Sequence, residues 1–111
     1  MRIVKAFRHS IDGVREAIVN HTAFRQELIV TTVLFPIAIW LGQNGIERSI
    51  LIGTLLIILI VELINSAIES TADRIGKDKN ILSKKAKDLG SAAVFIAIAN
   101  AILMWILVLF Q

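Results

Sequence analysis

Residues 89–111, LGSAAVFIAIANAILMWILVLFQ, carry no charged side chain. A run of this length and apolarity matches the ~20 residues that a helix needs to cross a bilayer. Two further stretches are of the same kind: LIVTTVLFPIAIWLG (28–42) and SILIGTLLIILI (49–60). The chain as a whole is 56% hydrophobic and only 19% charged. With so much of that apolar content in long runs, the surroundings are lipid and not a water-enclosed core. With 111 residues and no internal repeat, a single domain over 1–111 is expected. There is no cysteine, so disulfides and thiolate metal sites are excluded. The first twenty residues are charged throughout and lack a continuous apolar stretch, so no cleaved signal peptide is expected.

The spacing predicts an all-α membrane protein: one surface helix, about 3–20, and spans at about 25–42, 48–74 and 84–110. Ile3, Val4, Phe7, Ile11, Val14 and Ile18 fall on one arc of a helix, with Arg2, Lys5, Arg8, Asp12, Arg15 and Glu16 on the other. Such an amphipathic helix can lie along a membrane surface. The 28–42 run is short by itself; Phe24 and its neighbours can extend it, and Trp40 suits an interface. Pro36 is expected to kink this helix without ending it. QNGIE (43–47) reads as a tight turn, with the next helix starting near Arg48. GKDKNILSKKAKD (76–88) reads as a charged loop, with Ser83 capping the helix that follows. Gly90, Ala93, Ala97 and Ala101 form a stripe of small residues suited to close helix packing.

Basic residues orient the chain. Arg2, Lys5, Arg8, Arg15 and Arg25 precede the first span, and Arg74, Lys77, Lys79, Lys84, Lys85 and Lys87 surround the second connection. Only Arg48 lies by the short turn. The positive-inside rule therefore places the N-terminus and the 76–88 segment in the cytoplasm and the C-terminus outside.

VELINSAIESTADRIG (61–76) poses the functional question. Glu62, Asn65, Ser66, Glu69 and Asp73 fall within about 100° of one another on a helix, where the membrane gives way to water. Carboxylates at that depth are costly unless paired, protonated or metal-bound. Acids in this pattern can hold Mg²⁺ while phosphates complete its shell. One kept away from water can act as a general base. Lys84, Lys87, Asp88 and Ser91 share the start of the third span nearby, and lysine there can neutralise phosphate charge. A structural polar seam between helices is the plainer reading of the same ridge. The chain has no GxxxxGK[ST], HRD or DFG sequence, so any use of ATP proceeds without the soluble kinase folds.

AFRQE (23–27), VELINSAIESTADRIG and LSKKAKDLGSAAV (82–94) closely resemble the small integral-membrane diacylglycerol kinases of bacteria, and RIVKA (2–6) is similar to the start of that family's surface helix. The resemblance implies a homotrimer in the bacterial cytoplasmic membrane, with the C-terminus periplasmic and active sites between subunits. It implies Mg²⁺, with ATP as phosphoryl donor and diacylglycerol as acceptor, giving phosphatidate; no nucleic-acid partner is expected. By resemblance, Glu62 is the base and Glu69 a Mg²⁺ and ATP ligand. Arg2, Lys87 and Asp88 are nucleotide contacts, and Asp78, Lys79 and Asn80 occupy the family's nucleotide-contact region. Ala23, Phe24, Arg25, Gln26, Glu27 and Ser91 border the lipid site, as does Arg2, and Asn65 and Asp73 support the polar face.

One position departs from the pattern. Where the family commonly has a metal-binding glutamate, this chain has His21, a poorer Mg²⁺ ligand than a carboxylate. Three rival readings remain at this stage. An undecaprenol kinase would use the same chemistry on a polyprenol. A small proton-coupled multidrug transporter also carries an intramembrane glutamate, but needs four spans and a weakly biased topology. A non-catalytic assembly subunit accounts for the packing stripe but not for the acids.

Overall fold

The computed structural model describes residues 1–75 and 81–111. They form four helices: α1 (Arg2–Asn20), α2 (Thr22–Leu41), α3 (Gly45–Ile75) and α4 (Ile81–Leu109). α2, α3 and α4 are each long and apolar enough to cross a membrane. α3 has 31 residues, so it reaches ~46 Å at ~1.5 Å per residue, well past a ~30 Å hydrocarbon core. One of its ends must therefore stand in or beyond the headgroup layer.

α3 is the central element. It packs along α4 on one side and α2 on the other, while α2 and α4 scarcely meet. Small side chains make the α3–α4 approach close: Ile58 of α3 packs with Ala97 and Ala101 of α4, with Val61 and Ile98 at the edge. Leu51 and Leu55 continue this buried face. Further along, Trp105 Nε1 donates to Thr54 Oγ1 at 2.9 Å and to Leu51 O at 3.2 Å. These bonds cross between antiparallel helices and give the indole nitrogen a partner where water is scarce.

Each joint is tied by its own side chains. Arg25 Nη1 donates to the carbonyls of Ile18 (3.0 Å) and Val19 (3.2 Å), capping the end of α1 from the start of α2. At the α2–α3 turn, Asn44 Oδ1 accepts from Glu47 N at 2.9 Å, and Glu47 Oε1 accepts from Gln43 N at 3.1 Å, a reciprocal helix cap. Arg48 Nε donates to Ile39 O at 2.9 Å. To do so it folds across Gly42, where a Cβ would lie 2.5 Å from Arg48 Cγ.

Several sequence expectations shift here. α3 begins at Gly45 and not near Arg48, because the Asn44 cap starts it earlier. α4 begins at Ile81, so residues 81–88 are helix and not loop, and Ser83 lies inside the first turn with its side chain buried, not at the cap. α2 starts at Thr22 and continues through Pro36. Of the small-residue stripe, Gly90, Ala97 and Ala101 are buried against α3, but Ala93 is exposed.

Candidate active site

The polar ridge of α3 is graded. Glu62 is 4% exposed, and Asn65 and Ser66 are also buried. Glu69, two turns on, is half-buried, and Asp73 is exposed. A single helix face therefore carries acids from the protein interior to its surface within about three turns. The 3.6-residue period explains the alignment: these side chains recur at near-integral numbers of turns, so burial of one against its neighbours fixes the direction of the rest.

Neighbouring elements meet this ridge at several points. Asn65 Nδ2 donates to Glu69 Oε1 at 3.1 Å, which holds one carboxylate oxygen and leaves the other for a ligand. From α4, Lys87 Nζ donates to Asp73 Oδ1 at 2.8 Å. From α2, Glu27 stands within electrostatic reach of Glu62, as does Glu69. Glu27 also lines an apolar groove of about 410 Å³ between α2, α3 and α4, together with Leu34, Leu55, Ile58, Ile98 and Trp105. Ile58, which lines this apolar channel, is one turn from Glu62 on α3.

His21 is half-buried at the joint between α1 and α2. It opens with Ser10, Glu16, Ser66 and Ser70 on a second groove, about 430 Å³, between α1 and α3. Phe24 is buried at 3% exposure, whereas Ala23 and Gln26 face outward. Arg25 is occupied in capping α1. Asp88 pairs with Lys84 at 2.8 Å, on the exposed side of α4, instead of joining the ridge. Ser91 is exposed, and Arg2 is exposed at the start of α1. Asp78, Lys79 and Asn80 lie outside the described residues.

Two neighbours of the ridge were not singled out as such by sequence reasoning. Glu27 stands in AFRQE, but only the fold brings it within electrostatic reach of Glu62. Gly90 lies directly against Asn65.

Among the described residues no three His, Asp or Glu side chains are arranged to hold a metal ion by themselves. A Mg²⁺ ion bound with phosphate takes one or two carboxylates and keeps phosphate and water oxygens for the rest of its shell. Glu69, with one oxygen uncommitted, fits that need; an imidazole at His21 fits it less well.

Comparison with known proteins settles the lineage. The family model of the prokaryotic diacylglycerol kinases matches residues 8–109. The chain belongs to that family. It is 46% identical to the diacylglycerol kinase of Escherichia coli K12 over 110 residues, covering 99% of this chain and 90% of the relative. It is 43% identical to the diacylglycerol kinase of Pseudomonas aeruginosa, over 97% of this chain and 88% of the relative. Identity to that of Haemophilus influenzae is 39%, over 93% and 87%.

Proposed function

We propose that the protein is a diacylglycerol kinase: it moves the γ-phosphoryl group of ATP to the free hydroxyl of diacylglycerol, giving phosphatidate and ADP. Family membership and the diacylglycerol kinase activity of its named relatives support the reaction class. The graded ridge carries the mechanism, because it offers one acid shielded from water, Glu62, and others beside the aqueous side. The acyl chains lie in the apolar channel and bring the hydroxyl toward Glu62 and Glu27. Glu62 accepts the hydroxyl proton as the lipid oxygen bonds to the γ-phosphorus and the bond to the β–γ bridging oxygen breaks. Lys87 neutralises phosphate charge, and Asn65 keeps Glu69 oriented toward the nucleotide. Mg²⁺ bound with ATP would spread the phosphate charge, and Glu69 is the residue to hold it. Most of the acceleration then comes from positioning and charge neutralisation.

The same proposal places α1 on the cytoplasmic surface of a bacterial inner membrane, with its exposed Ile3, Phe7, Val14 and Ile18 in the headgroup layer. Eleven of twelve Lys and Arg residues would then face the cytoplasm. A homotrimer, as the family resemblance implies, would bring neighbouring copies against the apolar sides left open between α2 and α4.

Phosphate transfer from labelled ATP tests the reading. Purified protein in mixed micelles with Mg²⁺ is expected to label diacylglycerol in preference to undecaprenol. Absence of label in diacylglycerol, or stronger labelling of the polyprenol, would overturn it.

A further inference from the structure

Asn65 and Gly90 meet where α3 and α4 cross. Asn65 is buried at 8% exposure, and its Nδ2 donates to Glu69 Oε1. Its Oδ1 has no hydrogen-bond partner and lies in the space where a Cβ on Gly90 would stand. Such a Cβ would overlap Oδ1 and come within 3.2 Å of Cγ, so the whole carboxamide is in the way and not just its tip. The amide has a defined sense. Turned over, it would set its oxygen against the Glu69 carboxylate, acceptor facing acceptor, and lose the bond. A buried carbonyl without a partner normally costs stability. Here the orientation that leaves it so is also the one that holds Glu69.

We propose that Gly90 is a positioning residue for Glu69, acting through Asn65: the side chain that glycine lacks is the slot in which the Asn65 amide lies flat while it holds Glu69. The inference rests on the reading of Glu69 as the nucleotide-side carboxylate. A methyl group at Gly90 has two ways to be accommodated. α3 and α4 could part, but that would open the close packing of Ile58 against Ala97 and Ala101. Rotation of Asn65 is the easier route, and it breaks the bond to Glu69. The loss then falls on the nucleotide and leaves the lipid channel intact.

A double-mutant cycle in detergent–lipid micelles tests this, reading Mg²⁺-dependent binding of a fluorescent ATP analogue together with KM for Mg·ATP and for diacylglycerol. Gly90→Ala is expected to weaken nucleotide binding about tenfold or more, since small misplacement of a positioned group is amplified, with the lipid KM changed less than about twofold. In an Asn65→Ala background, adding Gly90→Ala should change nucleotide binding by less than about twofold, because the group it displaces is gone. An equal penalty in both backgrounds, or unchanged nucleotide affinity in Gly90→Ala, would overturn the proposal. If Gly90→Ala alone does not fold, thermal melting of the double variant decides: a folded double variant identifies Asn65 as the clashing group, and an unfolded one overturns the assignment. Wild-type protein that binds the analogue but labels no diacylglycerol would contradict the proposed function while leaving the cycle readable. Wild-type protein that binds no nucleotide would contradict both.

Discussion

Lys87 of α4 and Asp73 of α3 are joined by a 2.8 Å ion pair at the exposed end of the ridge whose buried end is Glu62. The two side chains are 26% and 45% exposed, so the pair contributes only about 0–1 kcal/mol to folding. Its consequence is positional: it holds an ammonium group over the mouth of an acidic face. Lys87→Met is therefore expected to change thermal stability little while lowering kcat/KM for Mg·ATP by about 10²–10³-fold. Initial rates against ATP, with melting curves of the same samples, check both halves of that expectation.

Glu69 should govern the metal dependence. Glu69→Gln keeps an oxygen for Asn65 Nδ2 but removes the charge, whereas Glu69→Ala removes both. Each is expected to raise the Mg²⁺ concentration for half-maximal activity by about tenfold or more, since a neutral amide is a weaker partner for Mg²⁺ than a carboxylate. A Mg²⁺ titration at fixed ATP measures this, and an unchanged curve removes Glu69 from the role.

At the opposite end of the bundle, Trp105 bonds to Thr54 Oγ1 and Leu51 O. Trp105→Phe removes these bonds while keeping an aromatic ring. Interhelical hydrogen bonds within membranes are worth about 0.6–1.7 kcal/mol. A fall in stability of that size, measured by unfolding in detergent, is expected. A larger fall would mean that the indole's packing, and not its nitrogen, holds α4 to α3.

The absence of cysteine allows single labelling sites without background. In bilayers, Glu69→Cys and Asp73→Cys are expected to react with a membrane-impermeant maleimide. Ile60→Cys and Ile64→Cys should not, although Ile60 and Ile64 are each 55% exposed in the chain alone, because lipid would cover that side of α3. Reaction at all four positions would mean that the helix end is simply solvated.

How much of this was legible before the fold is known varies with the physics involved. Helical period and hydropathy are local properties, so the three long helices and the shared face of Glu62, Asn65, Glu69 and Asp73 could be read from spacing alone. Helix ends were read less well. The Asn44 cap, which starts α3 at Gly45, depends on particular side-chain geometry and not on average composition. Contacts between helices were out of reach: nothing in AFRQE says that Glu27 comes within electrostatic reach of Glu62, and nothing in DLGSAA says that Gly90 lies against Asn65. A run of small residues announces that helices approach closely. It does not say which polar group uses the space.

Glu62→Gln bears most directly on the central claim, that an acid sheltered from water activates the lipid hydroxyl. The substitution preserves shape at a site only 4% exposed and removes the ability to accept a proton. Single-turnover transfer from ATP to diacylglycerol should slow by about 10²–10⁴-fold, with affinity for the ATP analogue within about twofold of wild type. Near-normal turnover in that variant would contradict the account.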